Sequence, residues 1–186
     1  VGFSAYYFYF TPVVTIALDI NPSIELSINR LNRVIETVAY NDDGSRLLNE
    51  LVLENYNYND AIETILNSKE IETLLENDET LMIGVIGQDD HKCNEVLAVL
   101  EDRADDHHNM HCYKGEEEIM DHAKNHHSSY GKYQSYLILK DLGYDIDLEE
   151  VNSMTMKEIM TLIEEKYDVD DYGDYFENSH HSDHHH

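Results

Sequence analysis

The chain is organised around an asparagine–proline dipeptide in the octapeptide Asp19-Ile20-Asn21-Pro22-Ser23-Ile24-Glu25-Leu26. Residues 13–20 are apolar and β-branched, and residues 24–29 alternate apolar with polar side chains. Both patterns are typical of β-strands. A proline favours an extended conformation in the residue before it, so Asn21 is predicted to be extended. Because Pro22 cannot adopt the positive φ of a tight hairpin turn, either the two strands are not neighbours or their junction is strained.

The atoms of this dipeptide limit the chemistry by which the chain could cleave itself. An acyl shift to oxygen or sulfur needs a hydroxyl or thiol after the scissile bond, and Pro22 has neither. The side-chain nitrogen of Asn21 remains, which can attack the Asn21 carbonyl, form a succinimide and expel the proline nitrogen. Asp19 and Ser23 are predicted to hydrogen-bond the attacking or departing nitrogen, since Asp19 shares a strand face with Asn21. The alternative is an ordinary turn, as in most Asn-Pro dipeptides.

Other segments accompany the octapeptide in a specific order. They are Thr11-Pro12-Val13-Val14, Arg33-Val34-Ile35, Asn41-Asp42-Asp43-Gly44, Ser128-Ser129-Tyr130-Gly131-Lys132-Tyr133 and Met154-Thr155-Met156-Lys157-Glu158-Ile159. Together they resemble the extracytoplasmic (periplasmic) middle domain of RsgI-type anti-sigma-I factors, over residues 11–165. The resemblance implies self-cleavage of the bond between Asn21 and Pro22, the catalytic pair that it carries over directly. The roles of Asp19 and Ser23 are inferred from their positions.

The resemblance also implies partners outside this chain. The parent protein is expected to cross the cell membrane once in a Gram-positive-type cell, with this domain on the extracytoplasmic side. A membrane helix and a cytoplasmic domain that binds the sigma-I factor are expected upstream. The cleaved strand would stay bound non-covalently until a signal separates it. An intramembrane protease would then cut the stub and free the sigma factor, while polysaccharide sensing would belong to a separate domain.

The composition of the chain argues against some alternative functions. The 186 residues carry a formal net charge of -27 and are 41% hydrophobic, which is enough for a folded core. Such a charge repels phosphate backbones, so no nucleic-acid partner is predicted. The main alternative function is a non-cleaving extracytoplasmic binding or linker module. An acidic inhibitor that mimics DNA is a weaker one.

The periodicity predicts an α+β fold, with a small mixed sheet packed with helices and followed by a C-terminal helical subdomain. Strands are predicted over residues 13–20, 24–29, 34–40, 80–87 and, at an edge, 107–113, with a turn at residues 41–44. Helices are predicted over residues 47–53, 59–67, 68–75, 90–102, 116–126, 132–142, 147–151 and 155–166, with a loop at residues 128–131.

Four parts of the chain are distinguished by these patterns. Residues 1–12 resemble a juxtamembrane stub, for which a buried or frayed strand is the alternative. Residues 13–113 form the predicted self-cleaving sheet domain, and residues 114–166 a helical subdomain packed on it. Residues 167–186 are an acidic, histidine-rich tail predicted to be disordered.

Histidines and cysteines are the remaining candidates for special chemistry. His122 and His126 lie four residues apart on a predicted helix, but the spacing matches no closed zinc pattern. No metal and no cofactor are therefore predicted. Cys93 and Cys112 leave two alternatives open, a disulfide or two free thiols.

Overall fold

The computed structural model describes residues 2–104, 108–166 and 176. These residues form a five-stranded mixed sheet packed with helices, which confirms the predicted α+β class. The strands are β1 (Val14–Asp19), β2 (Ser23–Ile28), β3 (Val34–Ala39), β4 (Leu81–Ile86) and β5 (Met110–Gly115). The helices are α1 (Gly2–Phe10), α2 (Asp42–Glu50), α3 (Tyr58–Leu66), α4 (Lys69–Glu76), α5 (Asp90–Ala104), α6 (Glu117–Asn125), α7 (Tyr130–Asp141), α8 (Leu148–Ser153) and α9 (Met156–Glu164).

Strand β1 lies at the centre of the sheet, whose order is β3-β2-β1-β4-β5. It pairs antiparallel with β2 on one side and with β4 on the other. Strand β5 lies at the edge of the sheet, as predicted, and it pairs parallel with β4. His107, the first residue of the predicted strand, falls outside the described residues. Backbone hydrogen bonds therefore hold β1 along both of its sides.

Side chains that alternate along β1 contribute to two hydrophobic cores. Ile16 and Leu18 join the core that contains residues of helices α2 to α5. Ala17 joins the second core, which contains residues of α6 to α9. Because both faces are covered, β1 is buried along almost its whole length, including the charged residue Asp19.

Strand β2 is buried on both faces although its sequence alternates apolar and polar residues. Such alternation is typical of a strand with one face in water. Yet Ser23 and Glu25 are each only 2% exposed, and Ser27 is 7% exposed. Their face of the sheet is covered by the C-terminal helices, so this layer packs on polar side chains as well as on an apolar core.

Two predicted boundaries are wrong, and helix capping explains both. Residues 41–44 are the start of α2 rather than a free turn, with Asn41 as the N-cap. Helix α3 begins at Tyr58, one residue before the predicted start, and is capped by Asn57. In both helices an asparagine side chain accepts a hydrogen bond from an N–H that the helix cannot satisfy internally.

The N-terminal aromatic segment is the helix α1, not the strand considered as an alternative. Its Tyr9 hydroxyl donates to Asn55 Oδ1 at 2.8 Å, which ties the helix to the body of the domain. Tyr6 and Tyr7 are 66% and 70% exposed. Within the described part of the chain, no helix has the length and apolar character needed to cross a bilayer. The juxtamembrane role of residues 1–12 stays a prediction.

The division into a sheet domain and a helical subdomain also stays a prediction. Helices α6 to α9 pack on the same sheet as the earlier helices, through residues such as Tyr113 and Tyr130. The tail predicted over residues 167–186 lies outside the described residues apart from Phe176. Phe176 is 1% exposed, and its ring centroid lies 5.0 Å from that of Tyr113.

Candidate functional site

The connection between β1 and β2 reverses the chain in three residues, because Asp19 pairs directly with Ser23. A reversal this short needs a residue with positive φ. Ile20 is β-branched and Pro22 is fixed at a φ of about −65°, so the requirement falls on Asn21. The φ of Asn21 is 94°. A non-glycine residue held in such a region stores on the order of 1–3 kcal/mol.

This geometry corrects the prediction that Asn21 is extended. The preference of a residue before proline for an extended conformation is a local effect. The course of β1 is instead fixed by its hydrogen-bonded pairing with β2 on one side and with β4 on the other. Of the two alternatives that the sequence left open, the strands are neighbours and their junction is strained.

Asn41, the N-cap of α2, holds the side chain of Asn21. Its Nδ2 donates to Asn21 Oδ1 at 2.8 Å, while its Oδ1 accepts from Ser23 N at 3.2 Å and Gly44 N at 2.8 Å. Two backbone N–H donors can only face an oxygen, so they fix the orientation of the Asn41 carboxamide and, through it, that of Asn21. The Asn21 Nδ2 is therefore turned away from Asn41.

Asp19 is fully buried beneath the C-terminal helices. Its Oδ1 accepts from Ser129 Oγ at 2.5 Å, and its Oδ2 accepts from Gly131 N at 3.0 Å. Burial raises the pKa of Asp19, whereas the hydroxyls of Ser129 and Ser23, the charge of Lys132 and the Gly131 N–H lower it. A carboxylate from the end of β1 is thus bound at the start of α7.

The same contact corrects the predicted loop over residues 128–131. Helix α7 begins at Tyr130 with Ser129 as its N-cap, two residues before the predicted start. The Ser129 hydroxyl accepts from Lys132 N at 3.4 Å, and the Asp19 carboxylate accepts from Gly131 N. These acceptors satisfy N–H groups of the first turn, where negative charge is also favoured by the helix dipole.

Gly131→Ala is expected to lower the free energy of unfolding by about 2 kcal/mol. A Cβ there would lie 2.5 Å from Asp19 Oδ2 and 3.0 Å from Asp19 Cγ. The higher helix propensity of alanine contributes at most about 1 kcal/mol, whereas overpacking and a weakened buried hydrogen bond each cost about 1–3 kcal/mol. Urea unfolding measures the change, with Lys140→Ala, at an exposed position of α7, as the control. Equal stability of the two variants would contradict a close contact between α7 and β1.

Lys132 lies next to this contact and is 2% exposed. Its Nζ donates to the backbone oxygen of Met154. Burial lowers the pKa of Lys132, and the charge of Asp19 opposes that shift. A cavity of about 50 Å³, large enough for a water molecule, lies beside it. The cavity is lined by Ser23, Tyr40, Asn41, His127, Ser128, Ser129, Lys132 and Asn152.

The structure divides the four predicted site residues into two groups. Asn21 and Pro22 form the connection, and Ser23 follows it with its N–H bound to Asn41. Asp19 accepts from the Ser129 hydroxyl and from the Gly131 N–H, which hold the end of β1, and its contact with the attacking or departing nitrogen stays a prediction. Sequence reasoning missed Asn41 because residues 41–44 were interpreted as a turn. An asparagine followed by two aspartates is also an N-cap signal, which would have found it.

His122, His126, Cys93 and Cys112 are the residues considered for metal or disulfide chemistry. The rings of His122 and His126 stack near Tyr133, with centroid distances of 6.4 Å and 5.5 Å. Cys93 and Cys112 are free thiols, and burial raises the pKa of Cys112 to about 12. Over the described ranges, no three His, Cys, Asp or Glu side chains are grouped so that they could hold a metal ion.

Comparison with known families identifies the family of this chain. Residues 13–138 match the family described as anti-sigma factor RsgI-like central domain. The match covers all five strands, helices α2 to α6 and most of α7, so the chain belongs to the central-domain family of RsgI-type anti-sigma-I factors. The resemblance seen in the sequence is thereby confirmed.

Individual relatives carry the same family name. Anti-sigma-I factor RsgI7 of Acetivibrio thermocellus is 33% identical over 102 residues, which cover 54% of this chain and 19% of the relative. Anti-sigma-I factor RsgI of Bacillus anthracis is 40% identical over 75 residues, 40% of this chain and 17% of the relative. Anti-sigma-I factor RsgI9 of A. thermocellus is 26% identical over 168 residues, 83% of this chain and 24% of the relative. The chain thus matches at most 24% of the length of these curated relatives.

Proposed function

We propose that this chain is the self-cleaving extracytoplasmic domain of an anti-sigma-I factor, and that it cuts its own backbone between Asn21 and Pro22. The observation that carries the proposal is the strained connection between β1 and β2. There Asn21 precedes a proline and is held at a φ of 94° between two paired strands. Strain in a non-glycine residue persists only where the surrounding structure imposes it, and it concentrates at functional sites.

The reaction uses the Asn21 side chain as the nucleophile. Its Nδ2 attacks the Asn21 carbonyl carbon, a succinimide forms, and the proline nitrogen leaves as an amine after gaining a proton. The bond to proline is a tertiary amide, which twists out of plane more readily than a secondary one. Ser23 is the candidate donor of a hydrogen bond to the departing nitrogen, since it follows Pro22 directly. Asp19 contributes by anchoring the end of β1.

The cut strand stays in place because β1 is central in the sheet. It keeps its antiparallel pairing with both β2 and β4, and each backbone hydrogen bond contributes on the order of 1 kcal/mol net. Its apolar residues also remain buried in both cores. Cleavage alone therefore releases nothing, and the two pieces separate only when something pulls them apart.

This behaviour suits a device that transmits a signal across a membrane. In the proposed sequence of events, β1 is tethered to a membrane helix upstream, and the remaining chain is coupled to an extracellular signal. Separation at the sheet leaves a short stub, which an intramembrane protease accepts, and the sigma-I factor is then released inside the cell. The family membership supports the anti-sigma role of the parent protein.

Denaturing mass spectrometry of the wild-type domain beside Asn21→Ala tests the proposal. Two wild-type fragments are expected, one ending at Asn21 and one beginning at Pro22, whereas Asn21→Ala stays whole because it lacks the nucleophile. Asn32→Ala is the matched control and is expected to cleave like the wild type, since Asn32 also has a positive φ but precedes no proline. A whole wild-type chain after prolonged folding would contradict self-cleavage and favour a non-cleaving binding or linker module.

A further inference from the structure

We propose that Asn41 is a positioning and activating residue for cleavage, which binds the Asn21 side-chain oxygen and makes its nitrogen a competent nucleophile. The inference rests on the proposed self-cleavage. It begins from the hydrogen bond of 2.8 Å between Asn41 Nδ2 and Asn21 Oδ1, in which Asn41 is the donor.

An amide nitrogen is a poor nucleophile because its lone pair is shared with the carbonyl oxygen. Asn21 Nδ2 first gives up a proton to solvent hydroxide, which leaves a negative charge shared between Nδ2 and Oδ1. Nδ2 then bonds to the backbone carbonyl carbon, whose oxygen takes the charge in the tetrahedral intermediate. The bond from that carbon to the proline nitrogen then breaks, and the proline nitrogen keeps the electron pair and takes up a proton. The products are a C-terminal succinimide and a free N-terminal proline, so atoms and electrons balance.

A donor aimed at Oδ1 stabilises this charge where it develops. Hydrogen bonds to a charged acceptor are shorter and about twice as strong as neutral ones, and a preorganised donor needs no rearrangement during the reaction. Because Asn41 Nδ2 donates to Oδ1, the Asn21 nitrogen is the end of the carboxamide that does not contact Asn41. The same contact therefore selects which atom can attack.

Asn41 is itself rigidly held. Its Oδ1 accepts from Gly44 N at the start of α2 and from Ser23 N at the start of β2. The backbone N–H of Tyr40 donates to Ser23 O at 3.0 Å, which keeps β3 and β2 together at this point. Asn41 is thus held by α2 and β2, which both follow the scissile bond in the sequence, whereas the nucleophile Asn21 precedes that bond.

Asn41→Asp separates activation from capping. Aspartate caps helices as well as asparagine does, so the acceptor for Gly44 N is retained, but an ionised carboxylate cannot donate to Asn21. Asn57→Asp is the matched control, because Asn57 is the N-cap of α3 and its side chain accepts from Asn59 N. The two variants change the same atoms at the same helix position, and only one of them touches Asn21.

The experiment is pulse-labelled cell-free synthesis of the full chain, with the cleaved fraction followed by denaturing electrophoresis over time. Asn41→Asp is expected to cleave about 100-fold more slowly than the wild type near neutral pH, whereas Asn57→Asp cleaves at the wild-type rate. Thermal unfolding of both variants in the Asn21→Ala background checks that both remain folded.

A pH series distinguishes activation from a structural defect. Protonation of the substituted carboxyl at position 41 restores an O–H donor, so the ratio of the variant rate to the wild-type rate is expected to rise as the pH falls toward about 4. A constant ratio, or equal rates for Asn41→Asp and the wild type at neutral pH, would overturn this inference while leaving self-cleavage intact. An intact wild-type chain would overturn the proposed function and this inference with it.

Discussion

Asp19→Ala is expected to lower the free energy of unfolding by about 3–5 kcal/mol. The substitution removes the acceptors of the Ser129 hydroxyl and of the Gly131 N–H, both of which lie in the interior. Each buried donor left without a partner costs about 1–3 kcal/mol. The substitution also removes the negative charge that opposes the pKa shift of buried Lys132. The expected decrease in the free energy of unfolding is therefore larger than that of a substitution on the surface.

Urea unfolding in the Asn21→Ala background measures this loss on an unbroken chain. Asp19→Asn keeps one acceptor oxygen, so about half the destabilisation is expected. Asp121→Ala, at an exposed position of α6, is the control and is expected to change stability by no more than about 0.5 kcal/mol. A loss below about 1 kcal/mol for Asp19→Ala would mean that the contact with α7 does not anchor β1.

The contact has a further consequence if the chain is cut as proposed. Asp19 would then belong to the small fragment, while Ser129 and Gly131 belong to the large one. The side-chain contact with α7 would add to the two backbone ladders of β1 in holding the fragments together. Release of the small fragment under mild denaturant is accordingly expected to be faster in Asp19→Ala, provided that the variant still cleaves.

The titration of Glu25 is expected to lower the free energy of unfolding by about 3 kcal/mol as the pH rises from 4.5 to 7. Burial raises the pKa of Glu25 from 4.5 to about 7, and Asp19 adds to the rise. A hydrogen bond of 2.9 Å from the Tyr40 hydroxyl and the charge of Lys124 oppose it. Between these pH values the unfolded chain releases the Glu25 proton while the folded chain keeps it, so unfolding becomes easier with rising pH.

Glu25→Gln is expected to remove this dependence, because glutamine keeps an acceptor for the Tyr40 hydroxyl and does not titrate. The measured quantity is the difference in unfolding free energy between variant and parent, near pH 4.5 and near pH 8. Between these pH values the unfolding free energy of the variant is expected to rise by about 3 kcal/mol relative to that of the parent. Glu36→Gln, at an exposed position of β3, should show a constant difference. A constant difference for Glu25→Gln would contradict the raised pKa.

Local sequence was sufficient to predict most of the sheet. The β-branched run before Asn21, the alternation after it and the apolar run near Gly84 are observed as β1, β2 and β4. A strand is indicated by its pattern of apolar and polar side chains and by the strand-breaking residues at its ends. Both signals lie within a few residues of each other in the sequence. The boundaries at Asn41 and Ser129 were missed because a cap and a turn use the same residue types.

Residue identities alone also limit the chemistry that the proposed cleavage could use. Pro22 excludes an acyl shift to oxygen or sulfur, and Asn21 is the one internal nucleophile beside the scissile bond. The order of the quoted segments was enough to identify the family. These conclusions depend on residue identity and order, which do not require folding.

The contacts that hold the site depend on tertiary packing. The positive φ of Asn21 follows from the pairing of β1 with β2, which overrides the local preference before proline. Asp19 meets Ser129 across 110 positions of sequence, and Asn41 reaches Asn21 across 20. Periodicity reports which face of an element is apolar but not which element covers it. The partners of buried polar groups are therefore set by the packing of distant segments.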